Sequence, residues 1–123
     1  MKTRILVVLL GWICMAGAAI AADMNYSSKV ELRVNGRAKT DGNVTITFHK
    51  EGGASEEYSV PIVDGTGENS VAKAIERTLK VGLGTDYHVK EHDGEKIKIK
   101  TKGGADFALT VASNIEGVTV EIR

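Results

Sequence analysis

The chain has 123 residues, 16 basic residues balanced by 16 acidic ones, one cysteine and one tryptophan. That balance excludes a general nucleic-acid binder, which needs a cationic excess to displace counterions from phosphates. The length suits one small domain.

Lys2 and Arg4 precede an apolar run over residues 5–13, and small residues follow: Ala16, Gly17, Ala18, Ala19, Ala21 and Ala22. This charged, apolar, small-residue order is that of a secretory signal. The run falls short of the roughly 20 residues that span a bilayer, and Ala19-Ile20-Ala21 offers small residues where a signal peptidase inspects the chain. Residues 1–21 therefore read as a cleavable signal peptide and 22–123 as a single β-rich domain starting at Ala22 or Asp23, with no membrane span after processing. Cys14 and Trp12 would leave with the signal, and Trp12-Ile13 before Cys14 disfavours acyl anchoring. Losing Lys2 and Arg4 but no acid leaves 14 basic residues against 16 acidic ones, a net charge of −2. An exported domain of about 100 residues without a disulfide points to a bacterial periplasm or cell surface.

Within the domain, Val30, Leu32 and Val34 alternate with Glu31, Arg33 and Asn35, the period of a half-buried strand. Val44, Ile46 and Phe48 set a second strand, and Gly52-Gly53 reverses the chain into a third with Tyr58, Val60 and Ile62 on one side. Pro61 lacks an amide hydrogen, which places that third strand at a sheet edge or a bulge. After the loop over 64–67, Asn69 or Ser70 is expected to cap a helix whose inward stripe is Val71, Ala74, Ile75, Thr78 and Leu79, ended by Gly82 or Gly84. Four more strands are expected at 87–91, 96–101, 107–112 and 118–122. For the first pair, a loop of His92-Asp93-Gly94 would oppose Val89 to Ile97 and Tyr87 to Ile99. The sum is an α+β fold: about seven short, mostly antiparallel strands and one amphipathic helix after the third. The turns Gly52-Gly53-Ala54-Ser55 and Gly103-Gly104-Ala105-Asp106 echo each other, as similar turns need similar residues.

Residues 70–111 carry Ala72-Lys73-Ala74-Ile75, the alternating Lys96-Ile97-Lys98-Ile99-Lys100-Thr101, and Gly103-Gly104-Ala105-Asp106. This order resembles the helix-plus-hairpin unit of flagellin outer regions and of phage tail sheath and tube proteins. The resemblance implies a shared way of packing a helix on strands.

No catalytic constellation emerges. The mature chain has no cysteine and no serine in a Gly-x-Ser-x-Gly elbow. The pairs Glu56-Glu57 and Glu91 with Glu95 sit at turn ends, without the cleft that would separate their acidities. His88 and His92 lie about 13 Å apart on a strand, too far to share one ion. Loop 64–69 concentrates oxygen ligands, but Gly65, Thr66 and Gly67 break the alternation a calcium loop needs. No cofactor and no metal is expected. The distinctive feature is a row of cations, His88, Lys90, Lys96, Lys98, Lys100 and Lys102, that alternation directs to one side of a hairpin. Such a row can receive a polyanion such as lipopolysaccharide or an acidic glycan, or serve to keep exposed strands from pairing. The sequence thus reads as a noncatalytic exported interaction module with a protein partner, itself or another, of which a subunit or accessory of a surface or tail-like assembly is one form. The alternative is a soluble periplasmic binding or inhibitory protein for an anionic ligand or an enzyme.

Overall fold

The computed structural model describes residues 25–123, and the expected signal peptide, residues 1–21 with Trp12 and Cys14, lies outside them. Alternating apolar residues produce strands β1 (Lys29–Gly36), β2 (Gly42–Lys50) and β3 (Ser55–Ile62), and helix α1 (Glu68–Leu83) follows. A 3-10 turn, Gly84–Asp86, leads into β4 (Tyr87–His92), β5 (Lys96–Thr101), β6 (Phe107–Ser113) and β7 (Val118–Ile122). The fold is α+β as expected, seven antiparallel strands with one helix after the third. Its strands form two sheets, ordered β4-β5-β1-β7 and β3-β2-β6.

The two sheets face each other across a core of Val30, Leu32, Val34, Val44, Ile46, Phe48, Ile97 and Ile99. Phe48, Tyr87 and Phe107 form an aromatic cluster at one end, with ring centroids 4.9 to 5.6 Å apart. The sheets meet at β6 and β7, and α1 closes the opposite side by packing on β3, β4 and β1. The helix buries Val71, Ala72, Ile75 and Leu79. Ala72 therefore joins the stripe, whereas Ala74 and Thr78 reach only half burial.

The helix also starts earlier than expected. Its N-cap is Gly67, without a side-chain cap, in place of Asn69 or Ser70. Gly67 bridges to Arg37, and the Gly36 amide donates to Glu68 Oε1 over 2.9 Å, so contacts to the end of β1 pull residues 67 and 68 into the first turn. Gly84 ends the helix, and Gly82 lies inside it, beneath the Tyr58 ring.

The β4–β5 register differs from the expected one by two residues. Val89 opposes Ile99 and Tyr87 opposes Thr101. Asp93 and Gly94 both take positive φ, 56° and 78°, and the Glu95 carbonyl accepts a hydrogen bond from Val34 of β1. Glu95 thus leaves the hairpin ladder for β1, and the three-residue loop becomes 93–95. A shift of two preserves which side chains face the core.

Pro61 stands on β3, an edge strand, as its missing amide requires. The echoed Gly-Gly-Ala turns do different work: 52–55 joins the β2–β3 hairpin, whereas 103–106 carries the chain from one sheet to the other.

Candidate functional site: a cationic sheet face

With Val30, Leu32, Ile97, Ile99 and Val89 turned to the core, the pleat turns their neighbours outward on the four-stranded sheet. The register then arranges these neighbours in rows across the strands. His88, Lys100 and Lys29 form one row; Lys90, Lys98 and Glu31 the next; His92, Lys96 and Arg33 the third. On β1's other side, Glu121 opposes Arg33, and the backbone of Arg123 exchanges both hydrogen bonds with Glu31. The face thus gathers seven cations, Lys29, Arg33, Lys90, Lys96, Lys98, Lys100 and Arg123, against the strand carboxylates Glu31 and Glu121. Because the whole chain is charge-balanced, this excess is a segregation of charge within the molecule.

The hairpin-tip half of the face is neutralised. Arg33 lies 3.5 Å from Glu95, Lys96 lies 3.6 Å from Asp93, and His92 sits between Glu31 and Asp93 at 3.9 and 3.5 Å. In the other half, Lys29, Lys90, Lys98 and Lys100 make no ion pair among the described residues. Lys29, Glu31, Lys98 and Arg123 line a shallow hollow of about 330 Å³ between these rows.

Of the residues singled out in the sequence, His88, Lys90, Lys96, Lys98 and Lys100 come together here. Lys102 lies beyond the end of β5, where its amide donates to the Asp86 carbonyl, and it borders the face without joining its ladder. Lys29, Arg33 and Arg123 escaped sequence reasoning, because alternation reveals a side chain's face but not which distant strand lies beside it. The strand-guarding role also fails for the row on β5. That strand lies inside its sheet, paired on one side with β4 and on the other with β1, so Lys96, Lys98 and Lys100 guard no edge.

The remaining features separate. The third histidine, His49, lies on the outer side of the three-stranded sheet, whereas His88 and His92 are on the four-stranded one, and no group of three or more potential metal ligands occurs among the described residues. Loop 64–69 lines a hollow of about 710 Å³ together with Arg37. There Arg37 Nη1 donates to the Gly65 carbonyl over 2.6 Å, bringing a positive charge into the space a calcium ion would need. Glu68 and Asp41 accept from the amides of Gly36 and Asp64.

A constellation not foreseen from sequence joins three strands: His49 Nδ1 lies 2.8 Å from Ser55 Oγ, and its Nε2 lies 3.1 Å from Thr110 Oγ1. The two hydroxyls occupy both ring nitrogens, so the imidazole clasps β3 and β6 to β2. Burial pushes the His49 pKa below its ordinary 6.5. The folded chain therefore binds this proton less readily than the unfolded chain, so its contribution to stability is present above pH 6.5 and is lost as pH falls from there toward the folded value. The melting temperature of the wild type should drop more than that of His49→Gln between neutral pH and about pH 5. Parallel declines would remove the histidine from the account.

No protein-family model matches the chain, and no curated protein or solved structure is significantly similar to it. The functional reading therefore rests on this geometry.

Proposed function

We propose that the chain is a noncatalytic exported interaction module of a bacterial periplasm or cell surface, which docks a repeating polyanion, an acidic glycan or lipopolysaccharide, on the outer face of its four-stranded sheet. The observation that carries this reading is the direct opposition of like charges: Lys90 faces Lys98, and Lys100 faces Lys29, on and beside an internal strand. Like charges directly opposite each other destabilise a sheet, by a few tenths of a kcal/mol to about 1 kcal/mol per pair. Solubility could be met by mixed charges, as it is at the hairpin tip. The unpaired rows instead hold cations about 5 Å apart across strands and about 7 Å apart along them, a spacing suited to a ligand with repeating negative groups. Among the described residues no helix is long and apolar enough to cross a membrane.

The test is the triple variant Lys96→Gln, Lys98→Gln, Lys100→Gln. It should keep the fold and melt close to the wild-type temperature, since relief of the Lys90–Lys98 and Lys29–Lys100 repulsions offsets the loss of the Lys96–Asp93 ion pair and of the Lys98–Glu31 opposition. Its binding to lipopolysaccharide should fall at least tenfold, and wild-type binding should weaken steeply with salt, as charge interactions are screened over about 10 Å at 0.1 M. Ile97→Gln, on the buried side of the same strand, should cost stability first. A folded triple variant that binds as the wild type does would overturn the proposal.

A further inference from the structure

Each sheet edge exposes backbone groups that can accept another strand, and natural sheets usually block them. The four edges here are treated differently. On β3 the hydrogen bonds to β2 alternate so that Pro61 occupies a position whose amide would point outward, and that edge lacks a donor. On β4, helix α1 packs alongside, and Glu76 Oε2 accepts the outward amide of Glu91 over 2.8 Å. On β6 the bridge from Ser27 ties up the amide and carbonyl of Phe107, the first outward position of that strand, and leaves those of Leu109, Val111 and Ser113 open. At β7, strand β6 of the other sheet comes near, yet no proline, side chain or bridging segment ties up the outward groups of this edge. Arg123 exchanges hydrogen bonds with Glu31, so by antiparallel alternation Glu121 and Thr119 also bond to β1, and Val118, Val120 and Ile122 point their amides and carbonyls away from it. None of these outward groups has a partner among the described residues, and Ile122 is 44% exposed.

We infer that β7 is a self-pairing edge, and that a second copy of this chain adds its own β7 antiparallel to it. The register is dictated by the free groups. Centring the pair on Val120 opposes Val120 to its own copy and Val118 to Ile122, engages every outward amide of the strand, and covers the exposed isoleucine with a valine. It also opposes Glu121 to Thr119, whereas a register centred one residue later would set Glu121 against Glu121. An antiparallel pair of this kind has its two-fold axis perpendicular to the sheet, which joins the two four-stranded sheets into one and turns both cationic faces to the same side. The self-pairing does not rest on polyanion binding, though it would double the area offered to such a ligand.

The experiment is sedimentation velocity over a concentration series on protein expressed from the full-length chain. The wild type should reach a dimer, with little change on adding salt, because backbone hydrogen bonds and apolar side chains carry the contact. Val120→Pro removes an outward amide while leaving the bonds to β1 in place, and should be monomeric with an unchanged circular dichroism spectrum. Ile122→Pro, at the exposed end of the strand, serves if Val120→Pro does not fold, and should weaken association at least tenfold. A wild type that stays monomeric at millimolar concentration overturns the inference, as does a dimer that persists in a folded Pro variant or dissociates in moderate salt.

Discussion

Ile75→Asp is expected to unfold the domain, and far-UV circular dichroism with a urea titration will register the loss. Ile75 is fully buried on α1 beside Val71, Ala72 and Leu79, where the helix closes the open side between β3 and β4. Two losses combine. Removing a buried isoleucine side chain costs about 2–5 kcal/mol. The carboxyl that replaces it meets an interior with no buried polar or charged side chain among the described residues, so it either stays ionised without a partner or takes up a proton, at several kcal/mol in either case. A domain of about 100 residues has about 5–15 kcal/mol in total, and the substitution consumes most of it. Arg77→Ala, on the exposed side of the same helix, should change stability by less than about 0.5 kcal/mol. Equal damage from both substitutions would mean that the helix is wrongly oriented on the sheets.

Local patterns were legible in the sequence, and pairings between distant segments were not. All seven strand segments were legible, most plainly β1 and β2, where alternation marks one buried side, and Pro61 marked an edge because its chemistry allows little else. The helix stripe was legible at Val71, Ile75 and Leu79, but Ala72 replaces Ala74 and Thr78 in it, since small side chains are compatible with either face. Its N-cap was misjudged because capping chemistry favours Asn69 and Ser70, whereas contacts from the end of β1 recruit Gly67 and Glu68. The β4–β5 register was misplaced for the same kind of reason: Glu95 is drawn out of the hairpin by Val34. The cationic face was half legible. Lysine alternation on β4 and β5 was visible, but only the tertiary pairing of β1 with β5 and β7 adds Lys29, Arg33 and Arg123 and puts β5 in the interior of its sheet. The His49 clasp depends on Ser55 and Thr110 from two other strands and has no sequence signature.

Gly117→Ala should be strongly destabilising, lowering the melting temperature by about 10 °C or more. Gly117 precedes β7 with φ at 91°, and a Cβ there would overlap the Arg37 carbonyl oxygen. Gly36, at the end of β1 with φ at 95°, is its counterpart, since a Cβ on it would overlap the Gly117 carbonyl oxygen. The two backbones approach too closely for either to carry a side chain. The unfavourable φ costs about 1–3 kcal/mol, and the overlap, which falls on backbone that cannot swing aside, adds about 1–3 kcal/mol. Gly52 is the control: its φ of 73° is also positive, but nothing lies within 4 Å of a Cβ there, so Gly52→Asn should cost no more than about 1 kcal/mol. The site of the damage matters for function. Gly36 opposes Val118 at the first pair of the β1–β7 ladder, so forcing the strands apart there displaces β7 and with it Arg123 at the hollow of the cationic face. Gly117→Ala should therefore weaken polyanion binding and self-association together, whereas the Lys→Gln triple variant should lose only the first and Val120→Pro only the second.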